Sequence, residues 1–158
     1  MLVTLRDYFH LRSGAVLLVD QSSRSLHVRA DFSPNTMHRA AVIPVGKGII
    51  GSAAKLKRPL YAPDVRREPR YIEGDPNTRS ELAIPLIVRD EVVGVLDCQS
   101  DKVDAFDDET VDLLTLFATN AAIALQNSEL YGREQRRTAQ LEAIYKIAKQ
   151  TTAVLDLQ

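Results

Sequence analysis

The sequence predicts an α+β fold in which a central antiparallel sheet with flanking helices is followed by a long C-terminal linker helix. The first observation is the distribution of proline: all 7 prolines lie between residues 34 and 85, and residues 107–158 contain none. Because proline interrupts helices, this proline-free segment predicts helix. The second observation is a series of short apolar runs separated by polar turns before residue 107, which is typical of strands.

The predicted sheet contains two β-hairpins. An apolar run at residues 15–19 is followed by a polar turn, and apolar residues then alternate with polar ones over residues 26–32. The second hairpin runs over residues 82–88 and returns over residues 92–98. Such alternation places one face of each hairpin on a core. Pro85 cannot donate a ladder hydrogen bond, so we expect an edge or a bulge there.

Two helices are predicted around and after this sheet. The segment Gly48–Leu56 is followed by lysine and arginine, which complement the carboxyl end of a helix. Asp107 is placed to cap the start of the long helix. We expect that helix to pack on the sheet as far as Leu130 and to continue into a looser charged stretch at Gly132–Gln140.

Composition and charge exclude several classes of protein. The 158 residues are 45% hydrophobic and 26% charged, as in one globular domain, and the net charge of -1 argues against a nucleic-acid binder. No apolar run reaches the roughly 18 residues of a membrane span, and no signal peptide is visible, so we predict a cytoplasmic location. The three histidines, His10, His27 and His38, are not spaced as metal ligands, and we predict no metal site.

Short segments rich in glycine, proline and acidic residues occur in order along the chain. They are VGKGIIGSAA at 45–54, PLYAPDV at 59–65, PRY at 69–71, SELAIPL at 80–86, VGVLD at 93–97 with Ser100, and AFDDE at 105–109. In this order and at these distances they resemble a GAF domain, the small-molecule-sensing module of signalling proteins. The resemblance covers about residues 10–130.

The resemblance implies a sensory role and a division of the chain. We expect a GAF domain at 1-130, with a pocket roofed by the loops between Pro44 and Thr78, and a helical linker at 131-158 toward a missing downstream domain. Output domains of such families are histidine kinases, diguanylate cyclases, serine phosphatases or a second GAF domain. The expected function is binding of an unidentified small molecule and relay of that signal through the C-terminal helix.

The resemblance also places polar side chains near the pocket mouth. These candidate ligand-binding residues are Asp64, Arg70, Tyr71, Ser80, Glu81 and Asp97. The helix that opens near Gly48 offers free amide groups to an anion. Arginines around the long loop, such as Arg66 and Arg79, are compatible with an anionic ligand. Acidic residues lie among these arginines, so a solvated surface is the alternative, and the sequence identifies neither a ligand nor a cofactor.

Enzymatic activity is not expected from the residues. Free-methionine-sulfoxide reductases are GAF enzymes that use several cysteines, because a second thiol must resolve the intermediate formed by the first. This chain contains one cysteine, Cys98, which we expect to be a small buried residue. The Asn-Lys pair of cyclic-nucleotide-binding GAF domains is replaced by Asp101-Lys102. We therefore predict a domain that is not an enzyme.

A ligand-free dimerisation and spacer module is the alternative function. It requires a filled pocket, so the test is whether Tyr71, Ile72, Leu86 and Leu96 close over the pocket or line an open one. The apolar stripe that begins at Leu141 and Ile144 needs a partner. We predict a homodimer through the C-terminal helix, and the alternatives are a missing downstream domain or packing of the stripe back on the body of the domain.

Overall fold

The computed structural model describes residues 2–33 and 42–155. Three α-helices and six β-strands are present in these ranges. In chain order they are α1 (Leu2–Phe9), β1 (Ser13–Asp20), β2 (Ser25–Asp31), β3 (Val42–Pro44), α2 (Gly48–Leu56), β4 (Leu60–Ala62), β5 (Ser80–Val88), β6 (Glu91–Ser100) and α3 (Asp108–Leu155). A 3₁₀ turn at Val65–Arg67 lies between β4 and β5. The predicted α+β class is confirmed.

The six strands form one antiparallel sheet in the order β3-β2-β1-β6-β5-β4. Both predicted hairpins are present: β1 pairs with β2, and β5 pairs with β6. The sheet ends in two strands of only three residues, β3 and β4. The longest strands therefore lie in its interior.

Two local features explain how the β5–β6 hairpin forms without a glycine turn. Arg89 and Asp90 both have positive φ angles, 49° and 67°, which is the backbone of a type I′ turn. Pro85 lies beyond the pairing of β4, which stops opposite Ala83. Strand β5 therefore has one neighbouring strand at Pro85, and no hydrogen bond to β4 is lost there through the missing amide proton. The expectation of a local edge is confirmed.

Side-chain alternation gives β5 and β6 two different faces. We call the side that contacts α2 the pocket face, which includes Ala83 and Val95 in one apolar cluster with Ile49 and Ala53 of α2. The opposite side, the far face, carries the residues between these positions along each strand. Its members are buried and almost entirely apolar: Leu82, Ile84, Leu86, Leu96 and Cys98.

The helix predicted from Asp107 starts where expected. The Asp107 carboxylate accepts a hydrogen bond of 2.8 Å from the Thr110 amide, as an N-cap does. The first part of α3 buries a stripe at helical spacing that includes Leu114, Ala118 and Ala121. The chain divides into two compact units, Met1–Ala122 and Ile123–Gln158.

The looser stretch expected at Gly132–Gln140 is not observed, because α3 is assigned as helix without interruption from Asp108 to Leu155. A single glycine costs a helix only about 1 kcal/mol relative to alanine. The surrounding arginine, glutamate and glutamine residues are good helix formers, which offsets this cost. No helix in the described ranges is both long and apolar enough to cross a bilayer.

Candidate ligand pocket

A cavity of about 470 Å³ lies on the pocket face of the sheet, at the N-terminal end of α2. This volume falls within the range of small-molecule sites in proteins. Most of its wall is aliphatic, with contributions from Leu17, Val28, Ile43, Ile49, Ile50 and Ile72. A cavity of this character favours a compact ligand with an apolar part.

Two buried carboxyl groups interrupt this apolar wall. Glu81 of β5 and Asp97 of β6 are each only 4% exposed, and their side chains hydrogen-bond to each other. Asp97 Oδ2 also accepts a hydrogen bond of 2.8 Å from Gln99 Nε2. Asp97 Oδ1 is buried and has no hydrogen-bond partner in the described part of the chain. One oxygen of the pair therefore receives no hydrogen bond from a donor in the described part of the chain.

Burial makes this acid pair hard to ionise. Removal from water raises the pKa of Asp97 to about 7, although hydrogen bonds with Gln99 and Glu81 act in the opposite direction. Burial also raises the pKa of Glu81 well above its usual range, and the charge of Asp97 raises it further. Two carboxylates in contact cannot both ionise cheaply, so the pair holds one proton near neutral pH.

A second polar part of the cavity wall is the N-terminus of α2. Lys47, Gly48, Ile49 and Ile50 line the cavity there, and no side chain caps the helix. The first intrahelical hydrogen bond is donated by the Gly51 amide to Lys47, so the preceding amides have no intrahelical acceptor. A free helix N-terminus with a lysine beside it attracts an anionic group.

Glycine is required at two positions for this helix end to form. Gly48 has a φ of +70°, a conformation that other residues adopt only with strain. At Gly51 a Cβ atom would lie 2.4 Å from the Pro44 carbonyl oxygen. The glycine-rich segment therefore brings the end of β3 against α2.

The loop after β4 forms one side of the cavity through Ile72, Glu73 and Gly74. It is attached to the body by Asp75, which is 3% exposed and accepts a hydrogen bond of 2.9 Å from Arg12 Nε. Burial alone would raise the pKa of Asp75. Hydrogen bonds from Asn77 and Arg12 outweigh it, so the pKa lies below its usual range. The loop is thus fixed by a buried ion pair.

The structure brings together two of the six predicted site residues. Glu81 and Asp97 line the cavity. Tyr71 packs against the apolar cluster of the pocket face, and its hydroxyl hydrogen-bonds Thr78. Burial raises the pKa of Tyr71, and the nearby charge of Glu81 adds to this effect.

The other three predicted residues serve local structure. The Asp64 carboxylate accepts a hydrogen bond from the Arg66 amide at the 3₁₀ turn. Arg70 is ion-paired with Glu68 at 2.7 Å. Ser80 is fully buried, and its hydroxyl donates a 2.7 Å hydrogen bond to the Lys102 carbonyl. In the described structure, none of the three lines the cavity.

Sequence reasoning missed Gln99, which lines the cavity and contacts Asp97. The sequence contains a signal for Gln99: it lies two residues after Asp97 on the same strand, and residues two apart on a strand share a face. The same rule separates Ser80 from Glu81, because neighbours on a strand point to opposite faces.

Four side chains were expected either to close over the pocket or to line it. Of these, Ile72 lines the cavity, whereas Leu86 and Leu96 are buried on the far face. The cavity is therefore not filled by these leucines. Metal ligands do not cluster among the described residues, and His38 lies outside them. Cys98 is fully buried on the far face, between Asp97 and Gln99 in sequence, so its thiol points away from the cavity.

A six-stranded antiparallel sheet with helices and a cavity beside the α2 N-terminus is the architecture of the GAF fold. The sequence profile of the GAF domain matches residues 1–126. The chain belongs to the GAF family, which confirms the resemblance.

Among its relatives, the chain is 36% identical to GAF domain-containing protein A of Dictyostelium discoideum, over 44% of either chain. It is 37% identical to the free methionine-R-sulfoxide reductase of Saccharomyces cerevisiae, over 42% of this chain and 37% of that protein. The match thus spans less than half the length of each of these curated relatives. A solved free methionine-R-sulfoxide reductase from Neisseria meningitidis, in complex with its substrate, is 26% identical. Its TM-score is 0.75, and the match covers 82% of this chain and 75% of that one.

These comparisons correct one prediction. The domain was predicted not to be an enzyme because it contains one cysteine, but relatives in sequence and in structure are named reductases. The prediction is wrong because a count of thiols tests one mechanism only.

Proposed function

We propose that this GAF domain binds a free amino acid in zwitterionic form, with its ammonium group on the Asp97–Glu81 pair and its carboxylate at the α2 N-terminus. The observation that carries the proposal is the buried, unpartnered Oδ1 of Asp97 at the wall of an aliphatic cavity. A buried acceptor without a partner is costly, and an ammonium donor would satisfy it.

Groups of both signs in the cavity wall support a ligand that carries both charges. Asp31 and Glu73 add negative charge to the wall, while Lys47 and the uncapped α2 helix supply positive potential. A free amine would satisfy only the acid pair, and a free carboxylate only the helix N-terminus. The aliphatic wall between them fits an apolar side chain, and free methionine sulfoxide belongs to this class of molecule.

Regulation is the role we propose for this binding. Occupancy would change the packing of the pocket, and the change would pass along α3 toward an output domain such as a kinase, cyclase, phosphatase or second GAF domain. In this proposal residues 1-130 form the sensory domain and residues 131-158 the linker, whose last three residues lie outside the described ranges. A ligand-free spacer is the alternative that binding measurements would favour if no ligand is found.

Isothermal titration calorimetry with matched ligands tests the binding proposal. The set is L-methionine, L-methionine-R-sulfoxide, 3-(methylthio)propylamine, which lacks the carboxylate, and 4-(methylthio)butyrate, which lacks the amine. We expect an amino acid to bind, and each truncated analogue to bind about 10- to 100-fold more weakly, since each loses charge-assisted hydrogen bonds.

The matched variants are Asp97→Asn, which removes the charge at nearly constant shape, and Asp90→Asn in the exposed β5–β6 turn. Asp97→Asn should abolish the preference for the amine, and Asp90→Asn should leave it intact. Equal affinity for the amino acid and for both truncated analogues would contradict the proposal, as would unchanged binding by Asp97→Asn.

Reduction of free methionine sulfoxide is a second candidate function, favoured by the reductases among the relatives. The reaction converts the sulfoxide and two thiols to the thioether, a disulfide and water. Burial raises the pKa of the Cys98 thiol well above its usual range, and its side chain faces away from the cavity. An external dithiol, whose thiolate attacks the sulfoxide sulfur, would therefore supply both electrons.

Methionine release from L-methionine-R-sulfoxide and dithiothreitol, followed by amino-acid chromatography, tests this activity. We expect release above the protein-free rate, loss of it in Asp97→Asn, and its retention in Cys98→Ser. A rate equal to the protein-free control would contradict enzymatic reduction with this dithiol. Loss of activity in a folded Cys98→Ser variant would identify that thiol as the nucleophile instead.

Homodimerisation through the C-terminal helix is also proposed. It is supported by exposed apolar residues on that helix, among them Leu116, Ile123 and Leu141. Light scattering of a Leu141→Asp/Ile144→Asp variant should give the mass of one chain, whereas Gln135→Asp/Gln140→Asp should keep that of two. Unchanged mass in the first variant would contradict this interface.

A further inference from the structure

Gln99 connects the acid pair to two hydroxyl groups behind it. Its Nε2 donates to Asp97 Oδ2 at 2.8 Å. Its Oε1 accepts hydrogen bonds from Thr78 Oγ1 at 2.8 Å and from Ser13 Oγ at 3.2 Å. Thr78 and Ser13 are themselves buried, at 3% and 5% exposure. The amide of Gln99 is thus held at both of its ends.

This arrangement fixes which way the amide points. Reversal would place Oε1 against the Asp97 carboxyl group, where two acceptors would face each other. A fixed N–H donor favours the ionised form of the group that accepts from it. Among the described residues, Glu81 has no such donor, and its side-chain hydrogen bond is with Asp97.

We propose that Gln99 is the positioning residue that keeps Asp97 ionised and Glu81 protonated, so that the pocket presents a single negative charge and selects ligands with a single positive group at that end. This inference rests on the proposed amino-acid binding and assigns its charge selectivity to Gln99. With the proton on Glu81, the Glu81 hydroxyl donates to Asp97, and the single negative charge stays on Asp97.

The charges around the acid pair also favour an ionised Asp97 and a protonated Glu81. Glu68 repels a negative charge on Glu81, which favours the protonated form of that residue. Burial raises the pKa of Asp97 to about 7, and burial together with the charge of Asp97 raises the pKa of Glu81 well above its usual range. The other titratable groups that face the pair or line its cavity are Asp31, Lys47, Tyr71 and Glu73, with Cys98 behind Asp97.

Side-chain ¹³C NMR of the Asp97 and Glu81 carboxyl groups in the full chain, titrated without ligand, tests the assignment directly. In the wild-type protein we expect Asp97 to ionise at the lower pH. Gln99→Leu removes the donor and should raise the Asp97 midpoint by about 1 pH unit, equivalent to about 1.4 kcal/mol. Thr78→Val should raise it less, because the amide keeps one orienting hydroxyl, and Gln135→Leu on the exposed part of α3 should not change it.

The binding readout uses L-methionine as the probe. At pH 7, Gln99→Leu should bind it about 10-fold more weakly, since more of Asp97 is protonated, and affinity should recover toward pH 8.5. A loss of affinity that is the same at every pH would indicate a merely structural role and would overturn the proposal. Ionisation of Glu81 before Asp97 in the wild-type protein would also overturn it.

The two proposals fail separately. If the carboxyl titrations follow the expected order but L-methionine and the other amino acids do not bind, amino-acid binding is wrong and the role of Gln99 in the acid pair stands. If an amino acid binds and the Asp97 midpoint is the same in Gln99→Leu and Thr78→Val as in the wild-type protein, the role of Gln99 is wrong. Thr78→Val keeps the test decisive if Gln99→Leu does not fold.

Discussion

The two faces of strands β5 and β6 differ although they are built from alternating residues of the same segments. On the far face, Leu82, Leu96 and Cys98 are at most 1% exposed and form a dry apolar layer. On the pocket face, Glu81 and Asp97 are nearly as well buried but are charged or shared-proton groups beside a cavity. Burial alone therefore does not distinguish a core residue from a functional one.

The difference shows that residues on one face of these strands stabilise the fold, whereas residues on the other face are suited to bind a ligand. Apolar burial on the far face stabilises the fold, whereas burial of the acid pair costs free energy until a cation satisfies it. Because successive side chains of a strand point to opposite faces, one segment can place stabilising residues on one face and ligand-binding residues on the other. Substitutions at neighbouring positions should then have opposite consequences, and this comparison can be tested at four points.

The largest effect is expected from Leu96→Ala on the far face. Removal of a fully buried leucine side chain should lower the free energy of unfolding by about 3 kcal/mol, since it deletes apolar contacts and leaves a cavity. Urea denaturation measures it. Leu56→Ala, the same change at a side chain that is 48% exposed at the end of α2, is the control and should cost about 1 kcal/mol or less. Similar costs at the two sites would break the distinction between core and surface.

The second effect concerns pH and the pocket face. The pKa values of Asp97 and Glu81 are raised in the folded state, so their contribution to stability is fully present below their unfolded values near 4. The part that comes from Asp97 is lost as pH rises through about 7, and the part that comes from Glu81 is lost as pH rises through its own raised pKa. We expect the ligand-free protein to be about 2 kcal/mol less stable at pH 8 than at pH 5. Urea denaturation over this range measures the slope.

Asp97→Asn is the control for that slope, because the amide does not titrate. It should flatten the pH dependence and raise the stability at pH 8, while it weakens binding. If the free energy of unfolding of the wild-type protein is constant between pH 5 and 8, the acid pair ionises without destabilising the fold. The two faces would then not differ in the energetic way described above.

The third effect concerns the ion pair that attaches the loop beside the pocket. Asp75→Asn removes the charge that pairs with Arg12, and we expect a loss of about 1.5 kcal/mol in unfolding free energy. Since the pKa of Asp75 is lowered in the fold, the wild-type contribution is present above about pH 4 and is lost as pH falls. Asp101→Asn at an exposed position is the comparison, and equal stability of the two variants would contradict the role of the ion pair.

The smallest effect separates two adjacent residues that the sequence placed in one site. Ser80→Ala should cost about 1 kcal/mol, through loss of the hydrogen bond to the Lys102 carbonyl, and should leave ligand affinity unchanged. Calorimetry with L-methionine should show that Glu81→Leu, which removes the hydroxyl that donates to Asp97, weakens binding instead. Equal losses of affinity in the two variants would place Ser80 in the site after all.

The sequence predicted the fold better than the site for a physical reason. Hairpins, the α2 helix and the Asp107 cap follow from local patterns, and all are present. The acid pair was among the predicted residues, but Arg70 was included although its charge is satisfied locally by Glu68. Pairing between side chains depends on which strands are neighbours, and that information is not local. The number of cysteines likewise bears on one reaction mechanism and does not decide whether a member of the family is an enzyme.

The two ends of the sheet have a consequence for behaviour at high concentration. Open strand edges recruit further chains, and long flat ones start amyloid-like growth. Here each edge strand of the sheet is three residues long, and β3 ends in Pro44, which cannot donate to an added strand. Contact between copies at these two strands would gain few hydrogen bonds, and the part of β5 that extends past β4 carries Pro85, which also lacks an amide proton. The shortness of the outermost strands and this proline therefore protect the sheet from fibrillar polymerisation.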